Sequence, residues 1–231
     1  MAIEPEKSRV EVSPGNSVTA MLYAAAKRDR AGVTLTLGHG AGSNQLSGFM
    51  RMFAAGLASR GLDVMTFNFL YMEQGRHAPD QKAKLESCYA AVIKFALNHR
   101  KLKGNRLIIG GKSMGGRIAS QVAADFNKEE GNIAGLVFLG YPLHPPGNPE
   151  KLRDAHLIHI KAPMLFIQGA RDAFGTSDEL RQIIKKHRLP ATLHVIEGGD
   201  HSFKVPKSSG IPQQQIYESV MDEIAHWLEA K

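Results

Sequence analysis

Short apolar runs rich in β-branched residues alternate along the chain with longer stretches in which apolar positions recur at helical spacing. This alternation is typical of βαβ units and predicts a mostly parallel central sheet with helices on both faces. The apolar runs predict about seven to eight strands, at 9–12, 17–24, 33–37, 62–67, 107–109, 136–139, 164–167 and 193–196. The helical spacing predicts helices at 47–60, 81–99, 177–187 and 212–230, and one more that ends near Phe126.

The first two predicted strands differ from the others because only the turn Pro14-Gly15-Asn16 separates them. A parallel pair needs a long crossover connection, so we expect these two strands to pair antiparallel at one edge of the sheet. The segment 68–80 follows a central strand, and we predict that it is a loop.

Composition indicates one folded domain over residues 1–231. Hydrophobic residues make up 43% of the chain and charged residues 22%, which is ordinary for a globular protein. The single cysteine, Cys88, excludes an intrachain disulfide and a cysteine-based zinc cage. No apolar run approaches the about 18–20 residues of a membrane span. The N-terminal segment is acidic and lacks an apolar stretch, so we expect a cytoplasmic protein that does not bind membranes.

The net charge of +7 is unevenly distributed. Residues 31–128 contain 13 basic and 5 acidic residues, a net charge of +8, and the rest of the chain contains 16 basic and 17 acidic residues, a net charge of −1. Such a surplus could steer an acidic substrate, although the simpler interpretation is solubility. The basic residues are scattered and not interleaved with aromatic residues, so we expect no nucleic-acid partner.

The strongest local motif is Gly111-Lys112-Ser113-Met114-Gly115, a G-x-S-x-G pattern between a predicted strand and a predicted helix. A turn this tight strains the serine backbone and brings neighbouring backbones close, and only glycine lacks the Cβ that would clash on either side. The motif therefore predicts an exposed nucleophile at Ser113. The alternative is a glycine-rich turn with a capping serine.

A serine hydroxyl needs a base, and after such a turn an acid and then a histidine follow in chain order. Asp172 follows the strand 164–167, and His201 follows the strand 193–196 on a glycine-rich loop. We predict that His201 is the base and that Asp172 orients it through the other ring nitrogen. Three other acids stay open as alternatives: Asp178, Asp200 and Glu73.

An acyl-transfer site also needs two backbone donors for the oxyanion. The Met114 amide at the start of a helix is one candidate. The glycine-rich loop after the third predicted strand holds the other, and we predict Ala41, with Gly42 as the close alternative. Gly40, Gly42 and His39 of the same loop are candidate substrate-binding residues, although His39 could instead brace the loop by bonding to backbone.

Other motifs in the chain are incomplete. A Walker A loop would need glycine at Arg106, and a dinucleotide fingerprint would need glycine at Ser43. The pair His156 and His159 lacks a third ligand at convincing spacing. We therefore expect neither a cofactor nor a metal ion.

Together these residues resemble the α/β-hydrolase superfamily, and most closely a dienelactone-hydrolase-like branch that includes testis-expressed protein 30 and a regulatory subunit of the nonspecific-lethal complex. That branch usually has proline where this chain has Leu70, and dienelactone hydrolase itself uses a cysteine where this chain has Ser113. The resemblance implies an α/β-hydrolase fold. It is carried by segments 38–42, 67–71, 111–117, 140–147 and 168–172.

Two segments are predicted to border the substrate. The loop 69–80 carries Tyr71 and Arg76, and Arg76 is a candidate for orienting an acidic group. The connection 140–163 carries His144 and is too short for a lipase-like cap. An uncapped site favours small or polar acyl substrates.

These features predict a serine hydrolase that cleaves a carboxylic ester or a related acyl bond, with a small-molecule acyl substrate as its partner. The alternative is a non-catalytic interaction protein on the same fold, since a fold alone does not establish turnover. The sequence leaves the acyl group, the leaving group and the oligomeric state open.

Overall fold

The computed structural model describes residues 3–126 and 132–230, so both ends of the predicted domain 1–231 lie outside the described residues. The described strands are β1 (Glu6–Ser13), β2 (Asn16–Tyr23), β3 (Val33–Gly38), β4 (Asp63–Phe67), β5 (Arg106–Lys112), β6 (Ile133–Leu139), β7 (Met164–Gly169) and β8 (Ala191–Ile196). The described α-helices are α1 (Gly48–Ala58), α2 (Leu70–Glu73), α3 (Lys82–Asn98), α4 (Met114–Asp125), α5 (Ser177–His187) and α6 (Gln213–Glu229).

The eight strands form one sheet in the order β1-β2-β4-β3-β5-β6-β7-β8. The pairs β1–β2 and β2–β4 are antiparallel, and every other neighbouring pair is parallel. The predicted antiparallel edge is therefore confirmed, as is the mostly parallel sheet. The turn at the edge is tight because Gly15 takes a φ of +76°, which costs glycine little.

Two apolar cores lie on opposite faces of the sheet. Helices α3, α4 and α5 cover one face, and α1 and α6 cover the other. The central strand β3 is buried at all six positions, as expected of a parallel strand covered on both faces, and its alternating threonines, Thr34 and Thr36, are buried with its valine and leucines.

Two differences from the sequence prediction affect the segments around the candidate site. Strand β5 continues to Lys112, beyond the predicted end at residue 109, because Gly110 and Gly111 keep parallel pairing with β6 although glycine is a poor strand former. The predicted loop 68–80 contains the short helix α2, because the buried side chains of Phe69 and Tyr71 fold this segment against the core.

The topology gathers four strand ends at one edge. The carboxyl ends of the parallel strands β3, β5, β7 and β8 lie side by side or one strand apart, and each is followed by one of the loops that carry candidate functional residues. Ligands of such sheets bind outside this edge. Across the described residues, the helices are too short or too polar to cross a bilayer.

Candidate active site

Ser113 lies between β5 and α4 with a φ of +53° and a ψ of −117°, a backbone conformation that a non-glycine residue rarely adopts. Its neighbours enforce the turn. A Cβ added to either Gly111 or Gly115 would overlap the carbonyl oxygen of Gly38 on the adjacent strand. The two glycines let the strand and helix approach closely enough to hold the Ser113 hydroxyl above the sheet edge.

Three side chains that are far apart in the chain meet at this edge. His201 Nε2 lies 2.8 Å from Ser113 Oγ, and His201 Nδ1 lies 2.7 Å from Asp172 Oδ2. The first pair is separated by 88 residues in sequence. The arrangement orients the imidazole between a hydroxyl that it can deprotonate and a carboxylate that accepts from its other nitrogen.

Asp172 is held as an acceptor on both carboxylate oxygens. Gln168 Nε2 donates to Oδ2 at 2.9 Å, and the Phe174 amide donates to Oδ1 at 2.8 Å. The side chain of Asp172 has no exposed surface. Because Asp172 has no proton to give, the hydrogen bond to His201 places the proton on Nδ1 and leaves the Nε2 lone pair facing Ser113.

The three alternative acids have other partners. Asp178 is exposed and pairs with Arg181 on the same helix. Asp200 accepts from the amides of Ser202 and Lys204 and so shapes its own loop. The carboxylate of Glu73 bonds to side chains near the antiparallel edge, which are those of Arg9, Thr19 and Asn68.

The two candidate oxyanion donors flank Ser113. Met114 is the first residue of α4, where an amide has no carbonyl one turn back to bond to. Ala41 and Ser113 line the same two cavities. The loop of Ala41 passes close to the nucleophile, since a Cβ built at Gly40 would lie 3.6 Å from Ser113 Cβ. Gly42 lies in the same loop with a φ of +66°.

His39 is completely buried and bonds to backbone on both sides. Its Nδ1 lies 2.8 Å from the carbonyl oxygen of Gly40, and its Nε2 accepts from the Phe69 amide at 3.1 Å. Burial lowers the pKa of His39 to about 4, so the ring is neutral near pH 7. This placement favours the bracing role of His39 over direct contact with substrate.

Of the other predicted substrate-binding residues, Gly40 lines the histidine-side cavity, whereas Tyr71, Arg76 and His144 lie around the site and not in it. Tyr71 has no exposed surface and packs edge-on against His39, and burial raises its pKa to about 12. Arg76 Nη2 pairs with Asp80 at 2.8 Å. The side chain of His144 is nearly buried and faces Glu179 of α5 at 3.3 Å.

Two cavities open on either side of Ser113. The histidine-side cavity has a volume of about 360 Å³, and its lining includes Gly40, Phe49, Lys112, His201 and Ser202. The arginine-side cavity has a volume of about 280 Å³, and its lining includes Asp80, Met114, Arg117, Arg153 and Phe174.

Four residues at the site were missed by the sequence analysis: Lys112, Arg117, Arg153 and Phe174. Lys112 and Arg117 belong to the segment 111–117 that carried the resemblance, so a signal existed for them. The ring of Phe174 lies 4.3 Å from the His201 ring, centroid to centroid, and borders both cavities. Nothing in the local sequence indicates the positions of Phe174 and Arg153, because both lie in irregular loops.

The comparison with protein families agrees with this architecture. A family model described as an alpha/beta hydrolase domain matches residues 31–229, most of the chain. The chain therefore belongs to the α/β-hydrolase family.

Solved structures give the same fold. The chain is similar to an alpha-beta serine hydrolase homologue from Coxiella burnetii, with 17% identity and a TM-score of 0.71 over 100% of this chain and 98% of that one. It is similar to a dienelactone hydrolase from Anabaena variabilis, with 22% identity and a TM-score of 0.72 over 97% of each chain. A serine hydrolase without a lid from Xanthomonas campestris matches with 17% identity and a TM-score of 0.71, over 98% of this chain and 96% of that one. At these identities the similarity concerns the fold.

Proposed function

We propose that this protein is a serine hydrolase that cleaves a carboxylic ester or a related acyl bond of a small or polar substrate. The observation that carries the proposal is the continuous chain of contacts from Ser113 Oγ through the His201 ring to Asp172, with distances of 2.8 and 2.7 Å. Each group has the burial and hydrogen bonding that its role requires.

In the first step, Ser113 Oγ attacks the carbonyl carbon of the substrate while His201 Nε2 takes the hydroxyl proton. Asp172 stabilises the imidazolium that forms and keeps the ring oriented. Because Gln168 and Phe174 already satisfy the carboxylate, it needs no rearrangement during the reaction.

The attack places negative charge on the former carbonyl oxygen. The amides of Met114 and Ala41 bind this oxyanion, and one such donor contributes about 3–4 kcal/mol to lowering the barrier. His201 then gives its proton to the leaving group, and an acyl chain stays on Ser113. Water, activated by the same imidazole, releases the acid and restores the enzyme.

The cleft favours small or polar substrates. The connection between β6 and β7 runs from residue 140 to 163 and contains one short 3₁₀ turn, Leu157–His159, with no inserted helical cap. The cleft thus remains open above Ser113, and a long lipid chain would gain little apolar burial there.

Labelling with a fluorophosphonate probe tests the proposal, since the probe reacts only with an activated serine. We expect the wild-type protein to be labelled and Ser113→Ala to be unlabelled. Ser120→Ala is the matched control, because Ser120 Oγ also lies 2.7 Å from a histidine, His156 Nε2, but is fully buried. A folded wild-type protein that does not react would contradict the proposal and favour the non-catalytic alternative.

We also propose that the chain falls in the branch that includes testis-expressed protein 30 and the nonspecific-lethal complex subunit, on the segments that carried the resemblance. Four statements remain predictions from the sequence. The partner is a small acyl compound, the protein binds neither nucleic acid nor membranes, and its location is cytoplasmic. Salt-sensitive retention on DNA would contradict the predicted absence of a nucleic-acid partner.

A further inference from the structure

The lining of the arginine-side cavity includes three cationic residues, of which Lys82 pairs with Glu86 and the other two are Arg117 and Arg153. Arg117 lies one helical turn after Ser113, since its amide donates to the Ser113 carbonyl oxygen at 3.1 Å, so both residues share one side of α4. Arg153 comes from the connection between β6 and β7, and its amide donates to the Leu143 carbonyl oxygen at 2.8 Å. Two separate segments therefore bring a guanidinium to the same cavity.

Neither guanidinium has an acidic partner within residues 3–126 and 132–230. Arg117 Nε is buried and lacks a hydrogen-bond acceptor. Burial lowers the pKa of Arg117, and the nearby charge of Arg153 lowers it further. The positive charges thus lie close enough to repel each other.

Two acids near the arginines have other cations beside them. Asp80 lines the same cavity, where its Oδ1 pairs with Arg76 Nη2 at 2.8 Å and its buried Oδ2 has no hydrogen-bond partner. Glu86 attracts Arg117 electrostatically, and its Oε1 lies 3.4 Å from Lys82 Nζ. The arginine pair therefore keeps an excess of positive charge on the wall of the cavity.

A half-buried guanidinium without an acceptor destabilises the empty protein, and a bound anion removes that cost. The planar fork of arginine matches the two oxygens of a carboxylate. The cavity volume of about 280 Å³ leaves room for a short carbon chain between Ser113 and such a group.

The leaving group and the acyl chain of the substrate occupy different cavities. His201 must reach the leaving group to protonate it, and His201 lines the histidine-side cavity only. The leaving group therefore belongs on that side, and the acyl chain belongs on the side of Arg117 and Arg153. Resting on the serine-hydrolase function proposed above, we propose that the substrate is an ester whose short acyl chain ends in a carboxylate, held by these two arginines.

A pair of esters of equal chain length tests this specificity. We expect the wild-type kcat/KM for mono-p-nitrophenyl glutarate to exceed that for p-nitrophenyl pentanoate. In Arg117→Gln and in Arg153→Gln, the ratio of the two kcat/KM values should fall about 10- to 100-fold, mainly through KM of the acidic ester. Arg181→Gln, an exposed arginine of α5 that pairs with Asp178, removes one positive charge elsewhere and should leave both values unchanged.

Binding to Ser113→Ala separates this inference from the proposed function. Calorimetric titration should show that the glutarate ester binds Ser113→Ala more tightly than the pentanoate ester does. The preference should disappear when both arginines are also changed to glutamine. Two results would overturn the inference and leave the hydrolase function standing, provided that the wild-type protein reacts with the fluorophosphonate. One is equal binding of the two esters, and the other is a kcat/KM ratio that is the same in the arginine variants as in the wild type. Arginine-dependent binding in a protein that never reacts would support the subsite and reject the hydrolase.

Discussion

Lys112 Nζ donates a hydrogen bond of 2.7 Å to the backbone carbonyl oxygen of His201, so the residue before the candidate nucleophile also anchors the loop of the candidate base. Nζ lies 5.9 Å from the centre of the Phe49 ring. Burial lowers the pKa of Lys112 to about 8, and the charges of Asp172 and Asp200 oppose that shift. The last residue of β5 thus couples the two sides of the site.

The lowered pKa of Lys112 predicts a pH dependence of stability. Between the native pKa of about 8 and the usual value of 10.5, the unfolded chain binds the proton that the native protein has lost, so this lysine makes stability rise with pH. Relative to Lys112→Met, the wild-type free energy of unfolding should rise by up to about 3 kcal/mol across this window. Urea unfolding at several pH values measures the difference. Lys204→Met is the control, because Lys204 is an exposed lysine in the loop of His201. If the difference in unfolding free energy between the wild type and Lys112→Met did not change with pH, the prediction would be wrong.

The lowered pKa of His39 predicts a loss of stability at low pH. Its native pKa of about 4 lies below the usual 6.5, so the unfolded chain takes up a proton first as pH falls, and stability is lost through this window. Relative to His39→Gln, the wild-type protein should lose up to about 3 kcal/mol between pH 6.5 and pH 4. Urea titrations of both proteins at the two pH values measure this. Parallel losses in the two proteins would show that His39 is not the group responsible.

Asp172→Asn should abolish most activity while leaving the fold intact. Asparagine reverses the donor and acceptor pattern at His201 and favours the wrong tautomer, an effect of about 10⁴-fold in the rate. The measurement is the rate of p-nitrophenyl ester hydrolysis or of fluorophosphonate labelling. Asp178→Asn carries the same chemical change on an exposed acid of α5 and should react at the wild-type rate. A mild effect of Asp172→Asn would assign the acid role to another residue.

Gly115→Ala should destabilise the protein strongly. Its Cβ would overlap backbone atoms of Gly38, which cannot rotate away, so we expect a loss of about 3 kcal/mol or more, or failure to fold. Gly48→Ala is the matched control, because Gly48 is in the first turn of α1 and a Cβ there has no heavy atom within 4 Å. That change should be neutral or stabilising by less than about 1 kcal/mol. Comparable urea midpoints for the two variants would argue against the close approach of β3 and α4.

The elements of the fold were predictable from the sequence because each leaves a local pattern. Buried parallel strands favour short runs rich in apolar and β-branched residues, and helices with one covered face favour apolar positions at helical spacing. The predicted end of a strand was wrong where backbone pairing continued past the apolar run. Strand β5 runs to Lys112 because β6 supplies hydrogen-bond partners, and a propensity pattern contains no information about those partners.

The candidate site was predictable only in part. Strained turns require glycines in fixed places, so Ser113 has a local signature. Asp172 and His201 have a positional signature, since each follows a strand at the same sheet edge. Arg153 left no comparable signal, because it reaches the arginine-side cavity from an irregular connection.

The sequence by itself determined the order of strands and helices, the turn that exposes Ser113, and a short set of candidate acids and bases. Only the tertiary structure decided which acid lies 2.7 Å from His201, that His39 is buried between two loops, and that Arg117 and Arg153 share a cavity. The physical reason is the range of the interactions. Backbone strain and hydrophobic period act over a few neighbouring residues, whereas hydrogen bonds and charges between distant segments depend on how the whole sheet assembles.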